Sequence, residues 1–202
     1  MQNPIVAKAP ASNFQKLPLP EAGTTRAVCC GVWDLGLQKI VWNGKEKIQH
    51  KIVIAWEIEQ TIDSPESEYH GKRYMLSRRY TLSLGDKARL RQDLEAWRGK
   101  PLTPAEITNG FDVSKLYGVN CLLGVTHTVD NSDPSKTYAN ITSILPPMRG
   151  AEQMTPERGR DEEPPRWVAE IQAAAIPPQD NAAENFPSDD DPFAGGEEPP
   201  HY

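Results

Sequence analysis

No apolar run in this chain of 202 residues approaches the roughly 20 needed to cross a bilayer. The N-terminus carries no apolar core of a secretion signal either, so a cytoplasmic protein is expected. Cysteine is scarce. Cys29, Cys30 and Cys121 have no metal-ligand spacing and make no disulfide framework. They are expected as small semi-buried side chains in a reducing compartment. The chain also lacks a glycine-rich phosphate loop, a nucleophile elbow and a His-Glu-x-x-His pair. Asp34, Glu57, Glu59, Asp63 and His127 supply carboxylates and an imidazole without a spacing that marks catalysis. His50 and His127 lie in strand-like patterns and are expected to be satisfied structural histidines. The expectation is therefore a protein that is not an enzyme and uses no cofactor or metal.

What is plentiful is charge, unevenly placed. Residues 1–150 hold 19 Lys+Arg against 15 Asp+Glu, a net +4, and residues 151–202 hold 3 against 13, a net −10. The overall −6 thus hides a mildly basic body with an acidic tail. Residues 72–100 alone carry nine basic and three acidic side chains. Such asymmetry points to a polyanionic partner for the body.

The strongest local pattern spans residues 45–83. Ile48, Ile52, Ile54, Trp56 and Ile58 share one parity, and Lys47, Gln49, Lys51, Val53, Ala55 and Glu57 the other. Alternation of this kind predicts a strand with one buried and one wet face. Residues 63–68 are turn formers, and a second strand follows with Tyr74, Leu76, Tyr80 and Leu82 inward and Arg73 and Arg79 outward. Arg78 falls on the inward parity, which suggests a bulge or twist there. Upstream, residues 24–33 read as a strand with Val28, Cys30 and Val32 inward. Asp34-Leu35-Gly36 bends it, and Trp42-Asn43-Gly44-Lys45 is a hairpin turn.

A helix is expected next. Ser83 and Asp86 resemble a capping box, Leu90, Leu94 and Trp97 form one face, and Gly99 and Pro101 stop it. Thr103-Pro104-Ala105-Glu106 reads as a capped short helix. Two strands complete the set. Cys121, Leu123 and Val125 lie inward in the first, and Ala139 and Ile141 in the second. The order β-β-β-α-β-β predicts a mainly β fold, a five-stranded OB-fold Greek-key barrel with a helix between strands 3 and 4. Disordered segments are expected to flank it. The domain limits read as an N-terminal arm (1–23), a barrel (24–148), a linker (149–179) and an acidic tail (180–202). Residues 166–176 form a short helix in that linker, either transient or docked on the barrel.

Several stretches carry a resemblance. Arg79-Tyr80-Thr81-Leu82-Ser83-Leu84, the run from Leu94 to Thr103 and Thr137-Tyr138-Ala139-Asn140-Ile141 are similar to small phage-encoded OB-fold single-stranded DNA-binding proteins. In the tail, Asp189-Asp190-Asp191-Pro192-Phe193 resembles the acidic tip of bacterial single-stranded DNA-binding proteins. It departs from that tip by lacking a hydrophobic residue before the proline and by running nine residues past Phe193. The resemblance implies single-stranded DNA as partner, a role in DNA replication, recombination or repair, residence in a host cytoplasm, and replication or recombination proteins docking on the tail. The charge asymmetry adds autoinhibition as the alternative role of the tail, which would occupy the basic groove until DNA displaces it.

Sequence-tolerant binding of single strands needs cations along the phosphates and aromatic faces for the bases. Lys47, Lys51, Arg73 and Arg79 are the outward cations, with Arg78 and Lys136 beside them. Trp33, Trp42 and Tyr138 have outward parity or a loop position and are the expected stacking residues. Tyr74, Tyr80, Trp56 and Trp97 have core parity and are expected to pack. The alternative is a barrel of the same kind that binds protein or serves as a structural phage module.

Overall fold

The computed structural model describes residues 17–42 and 44–177, without the Trp42 side chain. Five strands form one antiparallel sheet: β1 (Gly23–Trp42), β2 (Lys45–Thr61), β3 (Arg73–Thr81), β4 (Asn120–Val129) and β5 (Thr137–Leu145). Their order is β3-β2-β1-β4-β5. The outer strands β3 and β5 also come into contact with each other. Between β3 and β4 lie α1 (Arg89–Arg98), α2 (Pro104–Asn109) and a 3-10 turn at Val113–Leu116. A last helix, α3 (Arg166–Ala173), follows β5.

One face of the sheet makes the main core. Ile52, Ile54, Trp56 and Ile58 of β2 meet Leu76 and Tyr80 of β3, Cys121, Leu123 and Val125 of β4, and Ala139 and Ile141 of β5. Leu90, Leu94 and Trp97 of α1 close this core, and the Trp97 ring centroid lies 5.6 Å from that of Trp56. The 3.6-residue period puts those three side chains on one stripe. Asp93 shares the buried side of α1 and holds it to β3. Tyr80 donates to Asp93 at 2.9 Å, and the Arg78 and Arg89 guanidiniums lie 2.7 and 3.0 Å from its carboxylate.

Local chemistry explains the boundaries. Gly99 adopts φ 67° and ends α1 in the left-handed conformation that glycine accepts without penalty. Thr103 and Glu106 form a reciprocal capping box on α2, with Pro104 at its first position. The expected cap of α1 does not form. Ser83 instead accepts the Gly85 N–H at 3.2 Å, and α1 begins at Arg89 without a capping side chain.

Two irregularities shift β1. Its register with β2 slips between Cys29 and Gly31 and again between Asp34 and Gly36. The first slip puts Ala27 and Cys29, not Val28 and Cys30, in the main core. Val28 pairs with Glu57 on the opposite face. Across Arg78, by contrast, the β2–β3 register is unbroken, and the slip falls between Glu57 and Thr61. Arg78 therefore points inward without the expected bulge, because Asp93 neutralises it there.

The largest departure from the sequence reading is the outward face. Val53, Ala55 and Glu57, read as wet, are buried. Residues 151–176, read as a linker ending in a short helix, run across that face. Arg26 donates to the Glu152 carbonyl at 3.3 Å. Asn120 holds the Met154 backbone from both sides, at 2.9 and 2.7 Å. Arg73 donates to the Thr155 carbonyl at 2.9 Å. Val168 of α3 is fully buried against Leu35 and Val53, with Trp33, Trp167 and Ile171 around them. Beyond α3, Ile176 donates its N–H to the Leu37 carbonyl at 2.8 Å. At the other end, residues 17–22, expected as the end of the N-terminal arm, lie against the body, and residues 1–16 are outside the described residues. Leu19 packs on the main core, and the Pro20 carbonyl meets His127 at 2.8 Å.

Candidate nucleic-acid interface

The β1–β2 hairpin extends past the body, and its two faces differ in chemistry. Register fixes which side chains share a face: Lys45, Lys47, Gln49 and Lys51 of β2 lie with Ile40 and Gln38 of β1 on the outward one. The other face carries Glu46, Ile48 and His50 opposite Val41, Lys39 and Leu37. Carboxylates are confined to that second face. Glu46 is paired there with Lys39 at 2.6 Å, and the His50 ring meets Asp34 at 2.7 Å. Ile48, expected inward, is 52% exposed, because the hairpin leaves the core behind at this point. The outward strip is the cationic one, and it continues onto β3. Lys51 pairs with Thr81 in register and donates to its hydroxyl at 3.0 Å, and Arg79 lies opposite Val53.

Lys47 and Lys51 thus share one face with Arg79. Lys45 joins them and was missed by the sequence reading, which spent it on the turn. Its parity with Lys47 and Lys51 was the available signal.

Arg73 is engaged elsewhere. It lies 3.8 Å from Glu57 and 3.4 Å from Glu157, beneath the covering segment. Arg78 is committed to Asp93 on the core side. Lys136 is paired with Asp133 at 3.3 Å in the β4–β5 loop, and Tyr138 donates to Asp130 at 3.3 Å. Since β4 runs antiparallel to β1, with Val125 opposite Gly23, this loop lies at the end of β1 away from the hairpin tip.

Of the aromatic candidates, Trp33 lies outward but is covered. The Arg158 guanidinium stands 5.6 Å from its ring centroid, and α3 flanks it. Trp42 pairs with Lys45 at the hairpin end. The tail residues Asp189, Asp190, Asp191, Pro192 and Phe193 lie outside the described residues. Trp167 was not read as part of the site, yet the Arg79 guanidinium stands 5.9 Å from its ring centroid.

The remaining titratable groups point to structure. Burial pushes the Cys29 thiol from 9.0 up to about 12 and raises Cys30 and Cys121 as well. Thiols held this firmly protonated are poor nucleophiles and poor metal ligands. Among the described residues, no group of three or more His, Cys, Asp or Glu side chains is placed to hold a metal ion. A cleft of about 460 Å³ between α1 and the start of β4 is lined by Leu94, Trp97, Arg98, Leu116 and Pro146 among others. No helix among the described residues is long and apolar enough to cross a membrane.

Comparison with known proteins finds no family whose sequence model matches the chain, and no curated protein similar to it in sequence.

Proposed function

We propose that this chain binds single-stranded DNA without sequence preference, in replication, recombination or repair, along the outward face of the β1–β2 hairpin. One observation carries the reading: Lys45, Lys47 and Lys51 share a face from which the hairpin's carboxylates are excluded. Along the strand Lys45 and Lys47 lie about 6.6 Å apart and Lys47 and Lys51, with Gln49 between them, about 13 Å, so the strip offers three cations along an extended backbone of phosphates. Arg79 prolongs the strip onto β3 and offers a planar cation on which a base can stack. The strand order, with β3 and β5 in contact and α1 between β3 and β4 in sequence, supports an OB-fold barrel as the scaffold. The acidic tail then serves in autoinhibition or in docking replication or recombination proteins.

Fluorescence anisotropy with a labelled dT strand of roughly 30 nucleotides, beside the matching duplex and across a salt series, tests this. Salt-sensitive binding that prefers the single strand supports it. Absence of binding at low salt overturns it.

A second reading has its own support. The outward sheet face already holds a peptide, residues 151–176, through backbone hydrogen bonds and apolar contacts. A barrel that binds a protein segment in this way, without nucleic acid, would show no salt-dependent affinity for either oligonucleotide.

A further inference from the structure

We infer that α3 is a latch over a base-stacking subsite, which a single strand opens by replacing Trp167 with a nucleobase. The inference rests on the hairpin reading above.

The cationic strip does not end at Lys51. It runs on to Arg79 and the floor formed by Val53, Leu35 and Trp33, and there α3 sits. The Arg79 guanidinium stands over the Trp167 ring, 5.9 Å from its centroid. An indole and an unpaired base present the same kind of π surface to a guanidinium, so the exchange is like for like. A base held in a duplex has no free face to offer. The subsite therefore selects single strands, where the lysines alone would accept any polyanion.

The covering segment divides into two parts of different security. Residues 152–158 are fastened by Asn120, Glu57 and Arg73. Past Pro164-Pro165, α3 is eight residues long and has no capping side chain. A helix this short does not persist in water without its tertiary contacts. Its docking consists of one fully buried residue, Val168, with Trp167 and Ile171 beside it. Hydrogen bonds add to it, among them Gln172 to the Asp34 carbonyl at 2.7 Å, Gln38 to the Ile171 carbonyl at 3.3 Å, and Ile176 to the Leu37 carbonyl at 2.8 Å. Residues 159–165 lie between the two parts, so α3 can leave while residues 152–158 stay.

Hydrogen exchange of the full chain with and without saturating dT strand tests the latch. Faster exchange in residues 166–176, with residues 152–158 unchanged, is the expected result. The variant Val168→Ser is expected to bind the dT strand about tenfold more tightly if the undocked state is about one molecule in ten. Binding with exchange in α3 unchanged or slowed overturns the latch and leaves the hairpin reading intact. No binding by either the natural chain or the variant overturns both.

Discussion

The buried carboxylate of Glu57, in the middle of β2, accepts the backbone N–H of Arg158 at 3.0 Å, although 101 residues separate the two. The same carboxylate accepts the Glu157 N–H at 2.7 Å. Two adjacent backbone donors of the covering segment are thereby satisfied in part-buried contacts. Glu57→Ala removes both bonds, and each unpaired donor costs about 1–3 kcal/mol. Glu57→Gln keeps one acceptor oxygen and should lose less. Urea unfolding gives the two stabilities. If the alanine variant loses no more than the glutamine variant, the carboxylate is not what fastens residues 157 and 158.

That contact also marks where the sequence stops being informative. The strands are legible because Ile52, Ile54, Trp56 and Ile58 alternate with polar or small residues, and alternation is a local signal. Gly99, Pro101 and the Thr103–Glu106 box are legible for the same reason, since each acts within a few residues. The burial of Val53, Ala55 and Glu57 is not local. It depends on a charged, proline-containing segment a hundred residues away, in which the four-residue spacing of Trp167, Ile171 and Ala175 announces a helix but not where that helix docks, and residues 151–165 have no period at all. The slip at Cys29 and Gly31 is equally silent, and it exchanges which cysteine faces the main core. For the site, parity placed Lys47, Lys51 and Arg79 on one face, but could not show that Arg73 and Trp33 are covered.

Asp93 is the hub that binds α1 to β3. It faces the Tyr80 hydroxyl and two guanidiniums, those of Arg78 and Arg89. Asp93→Ala leaves those cations in a partly buried site without their counter-ion. Breaking a buried pair from one side costs about 3–5 kcal/mol. Urea denaturation should show a loss of that size, and a loss under about 1 kcal/mol would mean that water serves the two arginines equally well.

Gly31 is required by its neighbour two residues on. A Cβ at this position would lie 2.1 Å from the Trp33 ring, which rests across the glycine. Gly31→Ala must therefore displace the indole, whose ring centroid lies 5.6 Å from the Arg158 guanidinium. Overpacking of this kind costs about 1–3 kcal/mol. The variant should melt at lower temperature, with a changed tryptophan emission. A variant as stable as the natural chain would show that the ring does not rest there in solution.

Stability should fall in alkali. Burial raises the Cys29 thiol to about 12 and raises Cys30, Cys121 and Tyr80 in the same direction. The folded state thus keeps protons that the unfolded chain releases. Stabilisation from these groups is complete below the unfolded thiol value of 9.0 and is lost as pH rises from there towards about 12. Each thiol contributes a slope of up to about 1.4 kcal/mol per pH unit in that window. The urea midpoint should hold steady between about pH 7 and 8 and drop by pH 10. A midpoint that does not move would mean the thiols are open to solvent.

The hairpin cations and Arg78 should separate cleanly when each is replaced. Lys47 and Lys51 lie on the outward strip, whereas Arg78 is spent on Asp93. A single-strand phosphate contact contributes about 0.7 to the slope of log affinity against log salt. Lys47→Ala and Lys51→Ala together should therefore flatten the slope by about 1.4. They should change stability little, because the bond from Lys51 to the Thr81 hydroxyl is part-buried on the outward face and lies outside the main core. Arg78→Ala should do the reverse, lowering the urea midpoint while leaving the salt slope of the folded fraction unchanged. If Arg78 proved to set the slope and the lysines did not, the strand would be tracking the core side of β3, and the outward face of the hairpin would have no part in binding.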